Sequence, residues 1–582
     1  MRSGLDEVLV EGDIVMTPEQ ARHYFGVDSE GRRSKRQAYQ PKGFPKSLWK
    51  DGVYYTFDPR LNQKTRDVVH SAVAFWQANT CIKFTETADV ASSPVKPVIV
   101  VSPGVGCNSM LGRKMNFDDS QTLNLEPGKC EYFAAATHEL AHALGFIHEH
   151  TRWDRDEYIY VDLTKLNPNI SQNYDKFDVV DQYKKYDKAE NDNYGKQYDF
   201  GGIMHYDDTA GAIAKGDIVM LAKNPDYQMT IGGAVGPVYG DVYEMNMLYS
   251  CYDRCKNSGT VCKHEGMPNP NNCSVCQCPS GFGGDDCSQR QAGNSGFGHD
   301  LNCGDTLTAE AHWQTLDVID VVGAGNYNSS YGNASNPYHC TWHITAPAGK
   351  VVEYEVIAFG TYGHEKDVLC TEMCYFGGLK IKGQEDSWKP EGMKLCCSNQ
   401  LNKIRITTSN LLVIQAYNHL LFSDFAIEYR ISKLMRLLYA MESWIAEDAP
   451  PKPTKSTAKS TTTTTTTRRT TSSGCPAGYD ILSSTGTICY NVNVRLTNFM
   501  DASLSCLRTN GSISIAQATV DETILKNIFI KKAKSSRVSK YWSGLKNWKC
   551  GIYDINLNTY TYTSCLDLSK KAGYFCQFKL ND

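Results

Sequence analysis

The chain is 582 residues long, with 60 basic against 64 acidic residues, a formal net charge of -4 and a hydrophobic share of 41%. One hydrophobic core cannot organise that length, so several domains are expected. The near balance of charge argues against a nucleic-acid binder held by a general basic surface, and no apolar run is long enough to span a bilayer.

Cysteine usage narrows the compartment. The 22 cysteines fall in tight local groups, a density suited to an oxidising environment, so a secreted, extracellular protein is expected. Asn-x-Ser triplets at Asn169, Asn272, Asn328, Asn333 and Asn510 agree with a glycoprotein. A secreted chain should open on a basic and then an apolar segment, whereas Met1 leads into Arg-Ser-Gly-Leu-Asp-Glu. The cysteines favour a start truncated of its signal peptide.

In chain order, residues 1–36 are polar and end in Arg33-Ser34-Lys35-Arg36, a basic cluster that processing proteases cut, so they are expected to be a removed propeptide. Residues 37–252 read as a mixed α+β domain. Val53-Tyr54-Tyr55-Thr56-Phe57 and Val98-Ile99-Val100-Val101 are predicted strands. Val68, Val69, Ala72, Val73 and Trp76 recur at helical spacing between them, and a second helix is predicted over about 133–144.

That second helix carries the chemistry. His138 and His142 are four residues apart, so both imidazoles leave one helical face within reach of a single ion. Glu139, beside the first, is placed to act on a metal-activated water as general base and to pass the proton to a leaving amine. Gly145 can take a positive φ and end the helix sharply, which lets the chain return and deliver His148 as third ligand. Three histidines leave a zinc position open, the arrangement of a catalytic rather than a structural site. The other histidines, including His70, His150, His312 and His343, lack partner spacing and read as ordinary surface or core residues.

His138 to Glu149, followed by Arg152-Trp153-Asp154-Arg155-Asp156, resembles the signature of the astacin family of metzincin zinc proteases, and Gly202-Ile203-Met204-His205-Tyr206 resembles its Met-turn. The resemblance implies a mixed sheet with an active-site helix and one Zn2+. Met204 would be the hydrophobic floor, and Tyr206 a switchable zinc ligand that stabilises the tetrahedral intermediate. Glu11-Gly12-Asp13-Ile14 is similar to a leader motif whose aspartate caps the zinc, which makes Asp13 the zymogen switch; Val10 stands where the family usually has an aromatic. The resemblance further implies that the terminus freed behind Arg36 folds toward Glu149, and that Cys81 pairs with Cys251 and Cys107 with Cys130. Ala234 stands where members preferring acidic residues often carry arginine, which argues against such a preference here.

Residues 253–288 hold six cysteines among Gly, Pro and Asn, too few apolar residues for a core; they resemble an EGF-like module without the acidic entry residues of calcium-binding versions. Residues 303–432 show alternating runs such as Val351-Val352-Glu353-Tyr354-Glu355-Val356, a β-sandwich pattern, and resemble a CUB domain. Its Cys370, Cys374, Cys396 and Cys397 are crowded, which leaves their pairing open. Residues 433–474 form a Pro/Thr-rich linker containing Thr461 to Thr467. Residues 475–582 resemble an α+β C-type lectin-like domain, but 546–565 lack the calcium-chelating triplets of sugar-binding versions. The module order resembles nematode members of the family, some of which act on cuticle collagens, moulting or hatching.

The expectation is a secreted metalloendopeptidase acting on extracellular proteins, candidate substrates being matrix or cuticle proteins, with the CUB and lectin-like modules as protein-contact surfaces. A non-enzymatic adhesive protein would be favoured by loss of a zinc histidine or of Glu139, and all are present. A lectin is disfavoured by the missing triplets.

Overall fold

The computed structural model describes residues 8–10, 12–16, 47–114, 118–167, 182–186, 188, 191–232, 235–294, 301–325, 337–385 and 387–432, with seven strands between 481 and 579. The peptide bond after Arg36, Ala234, the stretch 433–474, Asn169, Asn328, Asn333, Asn510 and most of 475–582 lie outside the described residues. Two compact units divide the chain, 1–449 and 450–582.

The first unit begins with strands β1 (Val8–Val10), β2 (Ile14–Met16) and β3 (Val53–Phe57), helix α1 (Gln63–Asn79), and strands β4 (Phe84–Glu86), β5 (Val98–Ser102), β6 (Cys107–Met110) and β7 (Ser120–Leu125). Helices α2 (Phe133–Leu144) and α3 (Tyr239–Leu248) follow. The strands form one mixed sheet in the order β1-β2-β6-β7-β5-β3-β4. Strand β5 lies parallel between β3 and β7, and its Val98, Ile99 and Val101 are buried, as a near-continuous apolar run in an interior parallel strand should be. Strands β1 and β2 lie within residues 1–36, a segment that reads in sequence simply as polar. There β2 adds in parallel to the edge of β6, and Ile14 and Met16 are fully buried.

Helix α1 buries Val69, Ala72, Val73 and Trp76, one apolar stripe at helical spacing, and Asn62 caps its start by accepting from the Thr65 N–H at 2.9 Å. Trp76 packs toward α2 and donates from Nε1 to the Thr137 carbonyl at 3.2 Å. At the far end of α2 the carbonyls that a helix leaves unpaired are met from outside. Trp49 Nε1 donates to Ala143 O at 2.7 Å, Tyr249 Oη to Leu144 O at 2.9 Å, and the Gly112 N–H to His142 O at 2.8 Å. Disulfides Cys81–Cys251 and Cys107–Cys130 close this domain, the pairing the family resemblance implies.

Residues 253–288 are held by disulfides Cys255–Cys273, Cys262–Cys276 and Cys278–Cys287 around two short hairpins. Residues 303–432 fold as two facing sheets. The five-stranded one runs Thr306–Thr308, Tyr338–Thr345, Leu411–Asn418, Gly377–Lys382, Met393–Leu395; the four-stranded one runs Gln314–Val318, Asp424–Ile431, Val352–Gly360, Arg405–Ile406. Trp342, Ile344, Tyr354, Ile414 and Ile427 are buried between them. The pairing left open in the sequence resolves as Cys370–Cys397 and Cys374–Cys396, beside Cys303–Cys340. In the second unit, Ala572–Lys579 pairs antiparallel with Ile488–Thr497 and parallel with Lys540–Lys546.

The sandwich packs directly on the mixed-sheet domain. One apolar cluster contains Tyr227 and Ile231 of the latter with Leu379, Met393 and Leu395 of the former. Polar contacts fix the register: Arg405 reaches Asp226 through Nε and Nη2, both at 2.8 Å, the Glu391 N–H donates to Asp199 at 2.9 Å, and the Lys394 N–H donates to Thr230 at 2.8 Å. Arg405 is only 5% exposed. The Asp226→Ala variant therefore strands a buried guanidinium and is expected to lose about 2–4 kcal/mol of unfolding free energy in urea titrations. Adding Arg405→Met should restore most of it.

Candidate active site

Helix α2 presents His138 and His142 one turn apart on one face, and Gly145 ends it with φ 115°. The Gly145 N–H returns to His142 O and the Phe146 N–H to Ala141 O, both at 2.9 Å, so the chain reverses and carries His148 back to the helix. Ring centroids of His138, His142 and His148 lie 4.6, 4.7 and 5.3 Å apart. Asp13, just before β2, sends its carboxylate into the centre of the three rings, and one ligand atom from each of the four residues lies within 4.8 Å of the others.

Fit to a metal can be tested on these atoms. Asp13 carboxylate oxygens stand 3.3, 3.7 and 3.2 Å from Nε2 of His138, His142 and His148. Four ligands on a tetrahedral zinc with bonds near 2.1 Å sit about 3.4 Å apart, so the spacing suits that ion. The Nδ1 atoms of His138 and His142 each lie 2.7 Å from a carbonyl, those of Ile203 and Phe146. A carbonyl only accepts, so these Nδ1 atoms donate and Nε2 faces the cradle, with the tautomer fixed from behind. His142 Nε2 is buried without a hydrogen-bond partner, as a ligand atom kept for a metal should be.

Burial dominates the electrostatics. It pushes the His142 imidazole well below the usual histidine range, reinforced by His138 and His148. Burial also opposes charge on Asp13, yet His148 and His138 hold its carboxyl well below the usual carboxylate range. Glu139, 2% exposed, is pushed well above that range by burial and then by Asp13, and its Oε2 has no hydrogen-bond partner. Tyr206 stands across the cradle, Oη 3.4 Å from Asp13 and its ring 4.4 Å from His148.

A profile of the astacin peptidase family matches residues 42–250. Zinc metalloproteinase nas-31 of Caenorhabditis elegans is 33% identical over 434 residues, which span 74% of this chain and 64% of that protein. Zinc metalloproteinase nas-27 of the same nematode is 31% identical over 435 residues, 73% of this chain and 91% of that one. The chain belongs to the astacin family. Among solved structures, a hatching-enzyme zinc protease of the medaka fish Oryzias latipes is 28% identical, covering 37% of this chain and 93% of its own, with a TM-score of 0.30. Zinc is therefore the metal for which the astacin cradle of three histidines and Asp13 is built.

Met204 is 3% exposed, and its carbonyl accepts from the Glu149 N–H at 2.9 Å. That bond ties the segment after His148 to the turn around Met204. Glu149 is buried and takes Arg152 at 2.7 Å, the Asp199 N–H at 2.8 Å and Lys196 at 3.5 Å. Burial opposes its charge, but Lys196 and Arg152 outweigh this and hold its pKa at about 2. Lys196, fully buried, also meets Glu244 at 2.9 Å. Asp241 accepts from the Ile203 and Val238 N–H groups at 3.0 and 2.8 Å, fixing the Met-turn from the start of α3.

Sequence reasoning missed Lys196, Glu244 and Asp241, which have no local spacing to betray them. His150, which reads in sequence as an ordinary surface or core residue, is fully buried, with Nε2 3.1 Å from the Gln182 carbonyl and its ring tilted 4.3 Å from that of Tyr206. Among the described residues no helix is long and apolar enough to cross a membrane.

The turn at Gly145 generates a direct expectation. A Cβ there meets nothing closer than Leu248 at 3.6 Å, so Gly145→Ala is penalised by its left-handed backbone alone, about 1–2 kcal/mol. Relieving that strain moves His148. Competition with a chromophoric chelator should show zinc affinity lowered about tenfold or more, with the far-ultraviolet circular dichroism spectrum unchanged.

Proposed function

We propose that this chain is a secreted endopeptidase, made latent and activated by cleavage after Arg36, that hydrolyses peptide bonds in extracellular proteins. The observation that carries this reading is the Asp13 carboxylate, on a leader segment preceding that cleavage point, seated among the three imidazoles. A carboxylate there excludes both substrate and water, and removing the leader clears the cradle and the β6 edge together. The freed N–H and C=O groups of β6 suit an extended peptide laid along the cleft.

Zinc, when held by His138, His142 and His148, supplies the positive charge that polarises a scissile carbonyl and makes water nucleophilic at neutral pH. Glu139 takes a proton from the attacking water at its unpartnered Oε2 and delivers it to the departing amine. Tyr206 Oη would help hold the metal at rest and would donate a hydrogen bond to the oxyanion as charge develops. The amine freed behind Arg36 joins the buried cluster at Glu149, whose carboxylate is ionised and enclosed, and Met204 remains the apolar floor.

The accessory modules fit the same assignment. Residues 253–288 are read as EGF-like on their three local disulfides, 303–432 as a CUB domain on the paired sheets, and 475–582 as C-type lectin-like. They present surfaces for matrix or cuticle proteins, and exposed Asn272 suits glycosylation.

Two measurements test the chemistry. Glu139→Ala should lower kcat on a protein substrate about 10²–10⁴-fold while zinc content by atomic absorption stays at one per chain. Undiminished turnover would sink the mechanism. Asp13→Ala should give the uncleaved chain chelator-sensitive proteolytic activity that the uncleaved parent lacks; an uncleaved variant as inert as its parent rules out the switch.

A further inference from the structure

The cleft that holds Asp13, His138, Glu139 and Tyr206 extends to the first turn of α2, a cavity of about 760 Å³ in all. Tyr132, Phe133 and Val235 line it, and two further lining residues come from the sandwich domain, Met373 and Tyr375. Tyr132 and Tyr375 are large aromatics left 51% and 43% exposed, and both face this space. Two exposed aromatics from separate domains meeting in one groove are what a site for an apolar group requires.

The loop that bears them is held rigidly. Cys370–Cys397 and Cys374–Cys396 clamp it, and Tyr417 Oη donates to the Cys374 carbonyl at 2.7 Å. Met373 and Cys374 both adopt left-handed backbone, φ 59° and 51°, a conformation that persists in non-glycine residues only when the surroundings impose it. The Tyr375 ring lies edge-on to Phe376 and parallel to His419. The domain itself is fixed by the Arg405–Asp226 pair and by the backbone bonds to Asp199 and Thr230. A substrate side chain entering the groove therefore meets a preformed wall.

We propose that Met373 and Tyr375 are specificity-determining residues of the peptidase. With Tyr132 they form a subsite for a bulky apolar or aromatic side chain beside the scissile bond, toward the start of α2. This rests on the proteolytic reading above. The sandwich domain then builds part of the substrate cleft in addition to any contact it makes with other proteins.

The test uses the full chain cleaved after Arg36 and a peptide series in which each position flanking the scissile bond is Phe, Leu, Ala or Asp. The parent should favour Phe or Leu over Ala at one position by about tenfold in kcat/KM, and the Met373→Ala/Tyr375→Ala double variant should reduce that ratio to about two. Tyr375→Phe should keep the preference, and Tyr375→Arg should turn it toward Asp. An unchanged Phe-to-Ala ratio in the double variant and in Tyr375→Arg overturns the inference, as does a uniform fall for every peptide. A parent that cleaves none of the peptides overturns the proteolytic reading and this subsite with it, whereas cleavage with unaltered selectivity removes the subsite alone.

Discussion

Four polar ligand atoms brought within 4.8 Å of one another and mostly withdrawn from water are an unstable arrangement unless something holds them. The fold supplies the restraint from outside: carbonyls of Ile203 and Phe146 grip the rear of two rings, and Gly145 steers the third ring back. The Asp13 carboxylate shares the centre with them. Much of the surrounding architecture serves to prevent this cluster from relaxing.

The restraint spreads through buried charge. Glu149 follows the third histidine directly, and Arg152, Lys196 and the Asp199 N–H converge on its carboxylate. Lys196 passes the connection to Glu244 on α3, while Asp241 on the same helix holds the backbone of the Met-turn. Removing one partner of such a network leaves an uncompensated buried charge, a cost of several kcal/mol. That cost makes the network a poor source of net stability and a strong source of uniqueness. The same contacts link the segment that carries His148 to the one that carries Tyr206.

Local periodicity made much of this legible before any coordinates. The α1 stripe, the bounds of α2, the turn at Gly145 and the convergence of His138, His142 and His148 all depend on residues within a few positions of one another, where helical geometry leaves little choice. Cys81 and Cys251 were pairable only through the family resemblance, being 170 residues apart. Lys196 and Asp241 escaped because a buried charge looks in sequence like any surface charge. Strands β1 and β2 escaped because three residues carry little period of their own; the edge of β6 gives β2 a partner, and β2 in turn pairs with β1. Met373 and Tyr375 were illegible for a further reason: their position in the cleft depends on how one domain docks on another.

That docking also bears on how the chain folds. The mixed-sheet domain buries Tyr227 and Ile231 against strands of the sandwich, and Asp199, which touches the Glu149 network through its backbone, accepts from Glu391 across the same interface. The residue that helps seat the third histidine is thus also a docking residue for the accessory domain. Burial raises the Asp199 carboxyl to about 6, against the pull of Lys196, so its charge costs free energy that the backbone N–H of Glu391 helps to offset. Without the sandwich domain, that carboxylate would lose a donor and the apolar surface around Tyr227 would face water. The accessory domain is therefore part of the physical definition of the active site, because the contacts that anchor it end on the same residue whose backbone braces Glu149, next in sequence to His148.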